Sequence, residues 1–458
     1  MTPRVQALVV GGGISGLVCA YALRKTGLDT HLFEASPRPG GVIQSITRDG
    51  FLLELGPQSF SATDPLRELF DDLGISDQVV QAPECAPRYV LVNGALQPVP
   101  LSPPAFLISS LISTSTKWLV LRDLIGKSVP PEADESVAAF VRRKFSPQLL
   151  DRLVGPFVSG VYAGDPERLS LRGAFSSVHE AESSTGSVIR GMLRAARAKK
   201  GPRERPTLMT FPEGNETLIR ALSSRLGPSL HPGASITGIS AQNDGSFSAR
   251  FDANGASESI TAKSLIIATP TDVTGQLLSH LDSSFESLLA PIEYAPVAVV
   301  SLGYRRTDVG HSLDGFGFLV PRSCGLRVLG TVWNSSLFPG RAPGGHALLT
   351  SFVGGATDPS AAKLPTEELV SLVHGEISPI LSISGEPVFA GVAVWPRALP
   401  QYNLGHADRL AGIANLLKHY PGIWLAGNYF RGPAIGSCVE QALAVAEEVC
   451  KATQEQSP

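Results

Sequence analysis

The sequence predicts an α/β chain, α+β overall, in which a doubly wound sheet is assembled from separate stretches around two other domains. Three observations carry this. Residues 5–10 form an apolar strand that runs into Gly11-Gly12-Gly13-Ile14-Ser15-Gly16, then a helical stretch to about Thr26, then a strand over 30–33 that ends on Glu34. Far downstream, 422–428 reads as another strand ending in small residues, and 436–450 comes next with helical spacing of Val439, Leu443, Ala446 and Val449. Between them lie a hairpin signal at Asn93-Gly94, a charge-poor helical region, and a run of strands broken by Gly and Pro. None of these belongs to a doubly wound sheet.

Gly11, Gly13 and Gly16 give GxGxxG in strand-turn-helix context, with an acid about 20 residues further on. The first glycine makes the tight turn and the second lets backbone approach a pyrophosphate. The third lets helix and strand pack closely. The helix N-terminus faces the phosphates with unpaired N–H groups and partial positive charge. Glu34 is suited to accept from a ribose diol. The unit is a Rossmann-type binder of an adenine dinucleotide. The next residues select FAD over NAD, because Ala35-Ser36-Pro37-Arg38-Pro39-Gly40-Gly41 is a second Gly-rich link. An extended FAD needs such a link beside its ribityl-flavin half. The helix over 436–450 offers a second N-terminus to the flavin, and it reads equally well as an ordinary closing β-α unit.

Further along the chain, residues 51–55 form a strand leading into Gly56-Pro57-Gln58-Ser59, and a helix from about Pro65 to Leu73 ends at Gly74. Residues 88–92 and 95–99 flank Asn93-Gly94 as a hairpin, which opens a different domain. The stretch 101–116 carries no charge and opens with Pro103-Pro104. It leaves about 12 uncharged residues after the proline turn, under the roughly 20 needed to span a bilayer. It is either a core helix or one lying on a membrane surface beside Lys117 and Trp118. The basic run 190–205 holds Arg194, Arg197, Lys199, Lys200 and Arg203, a solvated helix end or a contact for anionic lipid. From Thr207 the nucleotide style returns: a helix to about Leu226, a strand over 235–239, a hairpin over 245–261 and a buried strand over 265–270. Residues 290–395 alternate strands and turns. The expected domains are therefore 1–83, 206–285 and 400–455 for FAD, 84–99 and 286–399 for substrate, and 100–205 as a helical, membrane-associated unit.

Composition narrows the function classes. A length of 458 residues exceeds one compact core, so two or three domains are expected. A net charge of −3 gives no reason to expect nucleic acid. The five cysteines (Cys19, Cys85, Cys324, Cys438, Cys450) form no C-x-x-C, and the nine histidines form no H-E-x-x-H. That pattern fits a reducing compartment and no metal site. With a strand starting by residue 4, no signal or transit peptide is expected, and a cytoplasmic, peripherally membrane-associated location is the corresponding expectation.

Five further strings stand out: Ser159-Gly160-Val161-Tyr162-Ala163-Gly164-Asp165-Pro166, Gly315-Phe316-Gly317-Phe318-Leu319-Val320-Pro321, Leu329-Gly330-Thr331-Val332, Pro400-Gln401-Tyr402-Asn403-Leu404-Gly405-His406 and Ala426-Gly427-Asn428-Tyr429. With the N-terminal fingerprint they resemble the protoporphyrinogen oxidase family, the FAD-dependent, oxygen-using type within the amine oxidase and phytoene desaturase superfamily. The resemblance implies that Gly11, Gly12, Gly13, Ile14, Ser15, Gly16, Glu34, Ala35, Arg38, Gly41 and Val42 hold the adenosine and pyrophosphate half of noncovalent FAD. It implies Gly56, Pro57, Gln58 and Ser59 beside the flavin, Ile236 at the adenine through its backbone, and Asn428, Pro433, Ala434 and Ile435 near the flavin. Arg88 matches the family's substrate arginine, Leu319, Val332 and Phe352 its apolar clamp, and Gly164 a glycine whose backbone lines the pocket. Gln58 and Val42 depart from the family pattern.

The implied reaction is the six-electron oxidation of protoporphyrinogen IX to protoporphyrin IX in heme biosynthesis, with molecular oxygen as acceptor and hydrogen peroxide released. Pyrrole nitrogens supply the electron density, so the organic chemistry is mostly that of cofactor and substrate, and no catalytic side chain is named. An arginine suits a propionate, because its planar fork binds a carboxylate bidentately and stays charged. By residue pattern alone Arg88 reads as a surface arginine on a hairpin edge, and only the resemblance reverses this. Coproporphyrinogen III oxidation, or an amine oxidase or carotenoid desaturase activity, stays open, as does a homodimer. A non-enzymatic escort protein on this fold has no need of an intact GxGxxG with Glu34.

Overall fold

The strand Arg4–Val10 sits at the centre of an open sheet because it is apolar on both faces, as a strand covered on both sides must be. In the computed structural model, which describes residues 3–61, 63–84, 86–198, 207–253 and 255–455, this sheet has seven strands. Leu230–Pro232, Thr30–Glu34, Arg4–Val10, Ala256–Ile267 and Ile423–Leu425 pair side by side, all parallel. The early part of Ala256–Ile267 turns away to pair antiparallel with Phe247–Ala253, which pairs in turn with Ala234–Ala241. The expected strand-helix-strand opening and the 245–261 hairpin are both present. Cys85, Lys199, Lys200 and Arg203 lie outside the described residues.

Two layers cover this sheet. On one face, helix Ile14–Lys25 packs against Glu216–Leu226 and the C-terminal Ile435–Glu455 around Leu17, Leu23, Leu222 and Val439. On the other, Thr271–Ser279, Ser284–Leu289 and His406–Leu417 bury Leu278, Phe285 and Ile413 against Leu8 and Ile267.

A second seven-stranded sheet runs in the order Phe389–Pro400, Tyr294–Arg305, His346–Gly354, Val328–Val332, Gly317–Leu319, Arg88–Val92, Ala95–Pro98. The Asn93-Gly94 hairpin is thus its edge, joined through a parallel pairing with Gly317–Leu319. Its back is covered by helix Thr366–Leu381, whose Leu369, Val373, Ile377 and Leu381 are fully buried. Sequence reasoning read only strands and turns across this span, although those four residues recur every fourth position, one face of a helix.

The helical region 103–198 is held by buried charges. Lys144 Nζ lies 2.8 Å from Asp123 Oδ1, and Arg143 lies 2.9 Å from Glu182, which is wholly buried. Burial works to raise the Glu182 pKa, but hydrogen bonds from Arg143 and Ser128 outweigh it and hold the carboxyl at about 2. The uncharged 101–116 stretch is not one helix. It divides into Pro103–Ile108, a turn that buries Leu111 and Ile112, and the start of Thr114–Arg122. Among the described residues, no helix is long and apolar enough to cross a membrane.

Candidate active site

The dinucleotide cradle is built by close approach. A Cβ on Gly16 would stand 1.9 Å from the Gly11 carbonyl oxygen, and one on Gly12 would stand 2.8 Å from Glu34 Cβ. Both positions are closed to any side chain. Gly13, capping helix Ile14–Lys25, has nothing within 4 Å of where its Cβ would be. That open face at a helix N-terminus is where a pyrophosphate fits. Glu34 is held from two sides, by Gly12 N–H to Oε2 at 2.6 Å and by Ser36 N–H to Oε1 at 2.7 Å. Each carboxylate oxygen keeps capacity to accept one more hydrogen bond. The residues present therefore fit an adenine dinucleotide.

Arg38 faces the Gly-rich link instead of open space. Its guanidinium donates to the carbonyls of Pro39, Ile43 and Gly41 and lies 3.4 Å from Glu216, so it shapes the turn that carries Gly41 and Val42. Ala35 is exposed beside it. Ile236 is buried, with a register shift between Ile236 and Gly238 that frees local backbone from the ladder.

Residues Gly56, Pro57, Gln58 and Ser59 leave strand Phe51–Glu54 and pass tightly under Val42; a Cβ on Gly56 would lie 2.1 Å from the Val42 oxygen. The Gln58 side chain turns inward. Its Nε2 donates to Glu54 O and Gly56 O, both at 2.9 Å, and its Oε1 accepts from Asn334 at 2.7 Å. Beneath the loop, Glu54 and Arg341 pair at 2.7 Å, each about 1 % exposed. Sequence reasoning missed this pair and Trp395, whose Nε1 donates to Leu55 O at 2.6 Å. No sequence motif marks them, since the partners lie hundreds of residues apart.

Strand register shows what faces the loop. Arg88, Gly317, Val332 and Thr350 are paired in one row, and Val90, Leu319, Gly330, Phe352 and Val299 in the next but one. Paired residues, and those two apart on a strand, share a face. Arg88, Leu319, Val332 and Phe352 therefore stand on one face of the mixed sheet, opposite the face covered by helix Thr366–Leu381. Gly164 comes directly after Ala163, which packs with Val297, Val299 and Leu329 in a cluster bordered by Phe352 on that same face. Arg88 is exposed, has no carboxylate partner among the described residues, and lies with Cζ 5.5 Å over the Phe316 ring. Trp395, on this face too, ties it to the Gly56 loop.

The chain's end closes the site. Asn428 opens the short helix Asn428–Arg431 and its carbonyl accepts from Tyr402 Oη. Pro433 and Ala434 precede the buried Ile435, where helix Ile435–Glu455 begins. Ser15 reaches Cys438, so the N-termini of the first and last helices converge; burial pushes the Cys438 thiol up to about 11. His406 stacks on Tyr402 with ring centroids 4.4 Å apart and its Nε2 meets Tyr429 O at 2.9 Å. Burial lowers its pKa to about 4, which fits the structural role expected of it.

Comparison with known proteins places the chain in a family. The chain is 37% identical over 474 residues to protoporphyrinogen oxidase 1, chloroplastic, of Arabidopsis thaliana, covering 98% of this chain and 88% of that one. It is 30% identical to coproporphyrinogen III oxidase of Bacillus subtilis, covering 97% of each. A crystal structure from Exiguobacterium sp. 255-15 superposes with a TM-score of 0.80 at 26% identity, over 98% and 99% of the two chains. The model of the flavin containing amine oxidoreductases matches residues 14–450, and this chain belongs to that family.

Proposed function

We propose that this protein is an FAD-dependent oxidase that converts a porphyrinogen to its porphyrin in heme biosynthesis, with protoporphyrinogen IX as substrate and oxygen as the final acceptor. The observation that carries this reading is Arg88, an arginine without a carboxylate partner among the described residues, at the border of a sheet face otherwise bearing Leu319, Val332 and Phe352. That pattern complements a broad apolar ring system with carboxylates at one edge.

Bound FAD supplies the hydride acceptor. The chain's own residues do the rest by position. Glu34 and the Gly11–Gly16 turn hold the adenosine and pyrophosphate half, and Gly56 to Ser59 with Pro433 to Ile435 hold the flavin half. Leu319, Val332 and Phe352 bury the tetrapyrrole and exclude water, while Arg88 fixes its register through a propionate. Binding is noncovalent, in keeping with the deep burial of Cys438. The identity of 37% to the Arabidopsis thaliana chloroplastic protoporphyrinogen oxidase 1, against 30% to the Bacillus subtilis coproporphyrinogen III oxidase, favours the two-propionate substrate.

The helical region is proposed to rest on a membrane surface. Leu107, Ile108, Trp118, Ile125 and Val129 are half to almost fully exposed, an apolar set that suits an interface better than water.

The test is direct. Purified protein should be yellow, release all its flavin on acid denaturation, and turn protoporphyrinogen fluorescent in air. Arg88→Ala should keep its FAD and lose kcat/KM by about 30-fold or more, as expected for removing one partner of a desolvated charge pair worth about 2–5 kcal/mol. Unchanged kinetics in that variant would overturn the Arg88 assignment, and faster turnover of coproporphyrinogen the choice of substrate.

A further inference from the structure

The Gly315-Phe316-Gly317 string puts an aromatic ring where the strand's own alternation would not. Gly317 and Leu319 share the active face through their pairing with Val332 and Gly330. A regular strand would therefore send Phe316, like Phe318, to the opposite face. Phe318 does go there, buried with Trp333 and Leu349 against helix Thr366–Leu381. Phe316 instead packs against the cluster of Ala82, Val332, Leu337 and Phe338, which Phe352 also borders. The two glycines make the exception. Gly315 has φ 139° and Gly317 φ 136°, backbone that favours glycine. A Cβ on Gly317 would meet the Thr331 oxygen at 2.0 Å, and one on Gly315 the Pro87 oxygen at 2.5 Å. The turned residue is anchored at both ends: Phe316 N–H donates to Pro87 O at 2.8 Å, and Trp333 N–H donates to Phe316 O at 2.9 Å.

We infer that Phe316 is a positioning residue for Arg88, holding the guanidinium by its face so that the in-plane N–H groups stay free for a substrate carboxylate. An arginine fixed by an acidic neighbour would be neutralised before substrate arrives. A ring under its face holds it by the quadrupole and takes no in-plane N–H donor. The 5.5 Å separation of Arg88 Cζ from the ring centroid lies within the range of such contacts. The glycine pair thus sets the ring directly beside Arg88, since Pro87, which receives Phe316 N–H, is Arg88's neighbour in sequence.

This inference rests on the porphyrinogen reading, and the experiment separates the two. Phe316→Leu should raise KM for protoporphyrinogen by about 3- to 30-fold, the range expected from a partly desolvated cation–π contact, with kcat within about twofold and FAD content unchanged. In an Arg88→Met background the same change should leave KM where Arg88→Met alone puts it. Porphyrinogen with methyl-esterified propionates should not distinguish Phe316→Leu from wild type. Pentafluorophenylalanine at 316 keeps the ring's size and reverses its quadrupole, and it should raise KM as well, which covers a leucine variant that folds poorly. An equal KM rise with and without Arg88, or no response to fluorination, overturns the inference while the function stands. Wild-type protein that oxidises no porphyrinogen overturns both.

Discussion

His406 shows how a single side chain sets an acid limit. Its Nε2–H faces the Tyr429 carbonyl and its Nδ1 is buried with no hydrogen-bond partner, so a second proton would sit where nothing can accept it. Asp134 is near enough to favour the charge, Arg409 opposes it, and burial dominates both, bringing the pKa from 6.5 to about 4. Between those values the unfolded chain binds the extra proton and the native one does not. Stability contributed by the neutral ring is therefore complete above about pH 6.5 and is lost as pH falls toward 4, by up to about 3 kcal/mol. Thermal midpoints measured from pH 7 to 4.5 should fall, and His406→Gln should flatten that slope while lowering the midpoint at pH 7. At this scale the sequence was legible where local chemistry is distinctive. Gly11 to Gly16 with Glu34 announce themselves by spacing. Gln58 does not, because its turn inward depends on Asn334, 276 positions away. Arg88 reads as a surface residue until strand register puts it beside Val332 and Phe316.

Among the elements, strands and hairpins that alternate cleanly were legible, and pieces whose fate depends on a neighbour were not. The 101–116 stretch is uniformly uncharged, yet Leu111 is 1% exposed and Ile108 86%. Composition cannot divide it. Arg152 Nη1 donates to the Leu111 carbonyl at 2.9 Å, and Gln148 accepts from Ser113 N–H at 2.9 Å, which fastens the turn between two exposed helices. A test of membrane contact must therefore spare Leu111 and Ile112. Replacing Leu107, Ile108, Trp118 and Ile125 with Ser should abolish flotation with anionic liposomes and leave FAD content and thermal midpoint near wild type. Flotation that survives the four changes would remove this surface from the account. Leu111→Ser alone should instead destabilise by about 2–4 kcal/mol without altering flotation per folded molecule, as burial of a leucine predicts.

For the whole molecule, the nucleotide sheet draws its parallel strands from residues 4–34, 230–267 and 423–425, and its covering helices from both ends of the chain. A separate two-stranded ribbon, Ser45–Arg48 with Phe51–Glu54, meets the mixed sheet and the loop before its strand His346–Gly354 through Trp395 on Leu55, Leu52 N–H on Arg341 O at 3.1 Å, and the Glu54–Arg341 pair. FAD bound in the proposed cradle should raise the midpoint of the whole transition in proportion to the logarithm of its concentration, measured by adding FAD back to deflavinated protein. The discontinuity was legible in outline, because the same strand-turn-helix style recurs at 207 and 422. The joints were not, since they are single contacts between distant residues. A chain emerging from the ribosome lays down the phosphate turn long before the helix that closes over it. Every nascent intermediate up to residue 421 lacks strand Ile423–Leu425 and the partner of Leu17 and Leu23 on helix Ile435–Glu455. Cofactor capture should therefore wait for helix Ile435–Glu455: a product ended at 421 should emerge colourless and protease-sensitive, and one that includes this helix yellow.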